Sequence, residues 1–182
     1  MVNVKHINAL LKKAFWISGQ ATINPETGVV DVDGPQVNYI GKAYTQLPVQ
    51  FGRVTGDFDL SYSKLTSLKG CPSCVGGNFY FAHSPITSLE FAPAYVGKDF
   101  NCIDVNISSL SGAPETVEGI FSVEYKHNLP LLRLLNYPKP RIWHVPSMVY
   151  EIMNAHMHTG KAGVLKCAAE LIKAGYKDNA RW

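Results

Sequence analysis

Residues 54–74 read Val-Thr-Gly-Asp-Phe-Asp-Leu-Ser-Tyr-Ser-Lys-Leu-Thr-Ser-Leu-Lys-Gly-Cys-Pro-Ser-Cys, and the same pattern returns every 21 residues. Val54, Val75, Val96 and Val117 keep this step, as do Phe58, Phe79, Phe100 and Phe121. Leu68, Leu89, Leu110 and Leu131 form a third set, preceded by Leu65, Ile86 and Ile107, and Pro72, Pro93 and Pro114 a fourth. A fixed period of this length marks a stacked array rather than a single globular core.

Within one unit, Phe-x-apolar is a period-2 run with two side chains on one face, the signature of a short strand. Its apolar positions are Leu60, Phe81, Cys102 and Val123. The following Leu/Ile-Ser/Thr-Ser-Leu points two more apolar groups at the same core. The proline then ends regular hydrogen bonding and turns the chain. One strand and one return per unit cannot bury a core alone, so copies stack and share one, with a parallel strand ladder along one face. The array is expected to begin one unit early, because Val37, Tyr39 and Leu47 align with Phe58, Leu60 and Leu68.

The order Phe-x-apolar-x-x-x-x-Leu-x-x-Leu resembles the leucine-rich repeat in its short bacterial form. The wording of residues 56–72 is also similar to a family of repeat proteins common in bacteriophage genomes, built from units like V-G-G-x-F-x-C-S-x-N-x-L-T-S-L-x-G-A-P. The resemblance runs from about Ile23 to the C-terminus. It implies an α/β solenoid, a leucine-rich repeat of 21-residue units, and a phage origin, but no activity; binding of a host or viral protein is expected instead from the open strand face of the array. The asparagine that ties neighbouring turns together in such repeats is replaced here by Ser63, Ser84 and Val105.

At 182 residues the chain fits a single domain. Residues 1–29 read as an N-terminal helix and cap, 30–131 as repeats and 132–182 as a C-terminal helical cap. Val4, Ile7, Leu10, Leu11 and Ala14 recur at helical spacing. Gly28 is expected to turn the chain before a short strand at Val30. Pro138, Pro140 and Pro146 read as breaks. Helices are expected from Ser147 to about His158, and from about Ala162 with Val164, Leu165, Ala168, Leu171 and Ile172 on its apolar face.

With 46% hydrophobic and 17% charged residues the chain is not a disordered one. No apolar run has membrane-spanning length and the N-terminus lacks a secretory layout, so a cytoplasmic protein with no membrane partner is expected. The net charge of +3 is uneven: +2 over residues 1–29, −5 over 30–124 and +6 over 125–182. The basic C-terminal part is a candidate nucleic-acid contact, and a virion or assembly role is a further alternative.

Cys71-Pro-Ser-Cys74 is one C-x-x-C without a second pair, and Cys71 and Cys102 occupy core slots of the repeat, so they read as small hydrophobes. His156 and His158 point to different sides of a helix and cannot share a metal. Gly160-Lys-Ala-Gly163 is not a phosphate loop, and no nucleophile context is present. No cofactor and no enzymatic activity are expected. The candidate site is instead the concave strand face. Asn38, Asp57, Asp59, Asn78, Tyr80, Asp99, Asn101 and Ser122 flank the buried positions and should point outward, a composition suited to a polar or basic protein partner. Oligomeric state is not written in these patterns.

Overall fold

The computed structural model describes residues 2–41 and 43–182. Helix α1 (Val4–Ala14) opens the chain. The Asn3 side chain accepts the His6 N–H at 3.0 Å, closing its first turn. Leu11 and Ala14 are buried and Ile7 and Leu10 pack beside them, while Lys12 and Lys13 sit at the C-terminal end, where the helix dipole favours cations. Strand β1 (Phe15–Ile23) follows and pairs antiparallel with β2 (Val30–Tyr39). Asn24 Oδ1 accepts the N–H groups of Glu26 and Thr27, and Gly28 takes φ +77° to finish the hairpin turn.

β2 forks. Its first half pairs parallel with β3 (Phe51–Val54), and its second half pairs parallel with β4 (Asp57–Asp59). Two ladders then grow from the fork. One continues β3 through β5 (Cys74–Val75), β7 (Tyr95–Val96) and β9 (Thr116–Val117). The other continues β4 through β6 (Phe79–Tyr80), β8 (Phe100–Cys102) and β10 (Ile120–Glu124). The result is a parallel-strand solenoid with the expected 21-residue step. Each turn carries two short strands, where the sequence pattern suggests one. The first strand of each pair places the repeated valine inward, and Val54, Val75, Val96 and Val117 are all buried.

The corner between the two strands forces backbones together. A Cβ at Gly76 would lie 2.3 Å from Thr55 O, and one at Gly97 would lie 2.3 Å from Gly76 O. The return leg repeats its own device. Ser67, Ser88 and Ser109 each accept the N–H of the residue two further on, at 3.0–3.1 Å, folding the Ser-Leu segment into a local turn. Leu65, Leu68, Ile86, Leu89, Ile107 and Leu110 beside them are buried.

The core is an aromatic column. Phe15 meets Phe51 at 5.0 Å, Phe51 meets Phe58 at 5.0 Å and Phe58 meets Phe79 at 6.0 Å. Phe79 to Phe100 is 5.7 Å, Phe100 to Phe121 is 4.6 Å and Phe121 to Tyr137 is 4.5 Å. Ring contacts therefore run unbroken from the N-terminal cap to the C-terminal one.

Beyond β10 the repeat gives way. Asn128 stands where the repeat spacing calls for Leu or Ile and is exposed, while Leu129, one residue late, is buried. A short 3-10 helix (Leu132–Asn136) buries Leu132, Leu134 and Leu135. The prolines that follow do not break the ladder. Strand β11 (Lys139–Trp143) adds a rung parallel to β10, so the sheet extends into the region read as a helical cap. It is an edge strand, where a proline is tolerated. Helices α2 (Ser147–Ala155) and α3 (Gly160–Lys173) close that end. α3 buries Gly163, Cys167 and Leu171. Leu165 and Ile172, expected in the apolar face, are exposed, because the helix is rotated so that the 163–167–171 row faces inward.

Two measurements follow from this packing. Burial pushes Tyr39, with a smaller contribution from Tyr44, from 10.0 up to about 12, and burial followed by Glu170 pushes Cys167 from 9.0 up to about 11. Both groups are neutral in the fold and their folded values exceed the unfolded ones. Their stabilisation is thus complete below pH 9 and is lost as pH climbs through about 11 and then about 12. Thermal melts should be flat up to pH 9 and fall steeply above it, and Cys167→Ala should lessen the fall without abolishing it, because burial raises Cys71 and Cys102 as well. The second concerns Phe91, which is 51% exposed at φ +68° in the slot held by Gly70 and Gly112 at φ +99° and +81°. Left-handed backbone disfavours side chains, so Phe91→Gly should raise stability by about 0.5–1 kcal/mol in chemical denaturation.

Candidate functional site

Strand register places the expected face in columns. Asn38, Asp59, Tyr80, Asn101 and Ser122 lie side by side across β2, β4, β6, β8 and β10. The column is longer at both ends than the repeat pattern indicates. Trp16 pairs with Asn38 on the hairpin side, and Arg141 pairs with Ser122 on β11. Glu124 faces Trp143, whose ring carries the Arg141 guanidinium 5.8 Å from its centroid. Trp16 and Trp143 are both exposed.

A second column holds Asp57, Asn78 and Asp99, and here the side chains face their own neighbours. The Asn78 N–H donates to Asp57 Oδ1 at 2.8 Å and the Asn78 side-chain amide donates to the same oxygen at 3.1 Å. The Asp99 N–H donates to Asn78 Oδ1 at 3.0 Å, and the Ile120 N–H to Asp99 Oδ1 at 2.8 Å. Each acceptor serves the next turn, so the three residues form a hydrogen-bond ladder. It does the work of the missing asparagines at a different slot; there, Ser84 donates to Phe81 O and Val105 is simply buried. Asp59 and Asn101 close local turns by accepting the N–H groups of Ser61 and Ile103 at 2.8 and 3.0 Å.

Exposure departs from the expectation too. Asn38, Asp57, Asp59, Asn78, Tyr80, Asp99 and Asn101 are half-buried rather than free. Ser122 is buried, a short side chain between Asn101 and Arg141 in register. Tyr80 keeps the central place. Burial raises its hydroxyl above the ordinary tyrosine value, and the carboxylates of Asp99, Asp57 and Asp59 add to the rise in that order. An aromatic ring is thereby set among three acids in the middle of the face.

No family model, no curated protein and no solved structure matches this chain. The site must be read from its own chemistry. Among the described residues no helix is long and apolar enough to cross a membrane, and no group of three or more His, Cys, Asp or Glu side chains converges as a metal site. The four cysteines are free, and burial raises Cys71 well above the usual thiol value, in keeping with a packing role. Of the basic C-terminal residues, Arg133 donates to Ala113 O and Arg181 to Asn128 O, so both tie the cap to the stack.

Apart from Tyr80 itself, the aromatic and basic members of the face (Trp16, Arg141 and Trp143) escaped sequence reading because they lie outside the 21-residue step. The ladder of Asp57, Asn78 and Asp99 does have a sequence signal, an acid or amide before each phenylalanine at the repeat spacing. Asn78→Ala should cost about 1–3 kcal/mol in urea denaturation by stranding the Asp99 N–H, while Asp57→Asn, which keeps the acceptor, should cost less than half of that.

Proposed function

We propose that the chain is a non-catalytic binding protein whose open strand face holds a basic segment of a protein partner. The observation that supports this is the placement of Tyr80 among Asp57, Asp59 and Asp99. A lysine or arginine of the partner would lie over the ring and close to three carboxylates. Cation–ring attraction and ion pairing then act at one point, in a half-buried setting where both are stronger than in open water. Trp16 at the hairpin end of the column and Trp143 on β11, one row over from its other end, supply apolar contact area of the kind that anchors interfaces. The resemblance of the repeats to phage-encoded proteins supplies the setting, a host factor inhibited or redirected by being held.

The test is capture from bacterial lysate on immobilised wild-type protein, beside Tyr80→Ala and Asp59→Lys. A basic protein retained by wild type should be weakened in each variant by about tenfold or more, roughly 1–2 kcal/mol, in titration calorimetry. The loss at Asp59→Lys should be larger at low salt than at high salt. Retention that survives both variants and disappears on charge reversal at Lys161, Lys166 and Lys173 would overturn this reading in favour of nucleic-acid association.

A further inference from the structure

The eleven-stranded sheet has a strand end at β11, with β10 on one side and, among the described residues, no strand on the other. The Tyr125 N–H donates to Trp143 O at 2.8 Å, which fixes the direction of the backbone groups. Alternation along a strand then turns Lys139, Arg141 and Trp143 toward β10 in the hydrogen-bonding plane, and turns Pro140 and Ile142 outward. The free edge thus offers Pro140 C=O and both groups of Ile142. Pro140 has no N–H to leave unpaired there, which shortens the edge and restrains indiscriminate pairing.

Beside this edge lies a cleft of about 200 Å³ between β11 and α2. Pro140, Arg141 and Ile142 form one wall, and Tyr150, Met153, Asn154 and Met157 form the other. The methionines give an adaptable apolar wall. Along the strand face, Lys139, Arg141 and Trp143 are the exposed residues, while Pro140 and Ile142 are half-buried. The edge therefore combines three elements: free backbone groups, an apolar trough, and two cations spaced two residues apart on one face.

We infer that the β11 edge takes an acidic peptide segment in extended conformation, added as the next strand. Backbone pairing with Ile142 holds it, alternate side chains enter the cleft beside α2, and the carboxylates on the other face lie next to Lys139 and Arg141. A second copy of the chain fits less well, since strand-to-strand pairing of two β11 edges brings Lys139 and Arg141 of one copy close to those of the other. The site meets the strand face at Arg141, has β10 and β8 between it and the acidic surround of Tyr80, and favours a partner of opposite charge.

The probes are a capped alternating Glu-Val hexapeptide and its Lys-Val counterpart, titrated into isotope-labelled full-length protein. The acidic peptide should shift the Ile142 amide resonance, and the basic one should not. N-methylation of the peptide amides on one edge should lower affinity at least about tenfold, as expected when backbone bonds carry the pairing, while N-methylation on the other edge should have little effect. The Lys139→Glu/Arg141→Glu variant, checked by its melt, should lose the acidic peptide and gain the basic one. Tyr80→Ala should leave acidic-peptide binding unchanged, which separates this site from the strand-face reading. Equal response to both peptides, indifference to N-methylation on either edge, or shifts centred on Tyr80 would overturn the inference. A dimer in sedimentation with the Ile142 amide protected at its interface would assign the edge to a second copy and overturn it too.

Discussion

Everything in this molecule depends on phenylalanine stacking on phenylalanine through one rung of the ladder. Parallel strands in register bring identical positions of successive turns next to one another, so whatever occupies a slot must pack against a copy of itself. A large flat ring satisfies that condition well, by offset or edge contact. The 21-residue step is the length of chain needed to return a ring to its neighbour. The caps are fitted to the same column, Phe15 below it and Tyr137 above it, and Tyr137 secures its hydroxyl by donating to Pro114 O at 2.6 Å. Removing one ring from the middle would break three ring contacts at once, with Phe58, Phe81 and Phe100 for Phe79 and with Phe79, Phe81 and Phe121 for Phe100.

The sequence makes this column legible because the period writes it out. The buried valine, phenylalanine and leucine sets, the early unit at Val37 and the slip at Leu129 all stand in the structure where the spacing puts them. Three strand features do not. A two-residue strand such as Cys74–Val75 is too short to show alternation, so the second ladder has no signature of its own. β1 is largely solvent-exposed and bulges between Ser18 and Gln20, which removes the period-2 pattern. β11 is hidden by a slip: Ile142 stands 21 residues after Phe121 but pairs with Val123.

The strand face was legible as a surface and less so as a set of roles. Alternation tells which side of a sheet a residue occupies, and it sets Asp57, Asn78 and Asp99 apart from the buried phenylalanines that follow them. It does not tell which hydrogen bonds those side chains make, and all three turn out to satisfy backbone N–H groups of the next rung. The polar composition that suggests a binding surface is thus partly the hardware of the stack. Outside that ladder the face keeps Tyr80 in the middle, Trp16 at the hairpin end, and Arg141 and Trp143 on β11.

The forked strand β2 has a consequence for how such an array can change length. It belongs to both ladders, and its outer side is sealed by an antiparallel neighbour. No unit can be inserted below it without dismantling the hairpin, whereas a duplicated unit placed above it meets the same valine, phenylalanine and leucine slots it left. Growth is polar. Gene duplication can lengthen the array only from the fork toward the far cap, and each added unit moves β11 and its helices outward as one block. The reach between the two ends of the face is then adjustable in steps of one rung, with the terminal fittings unchanged.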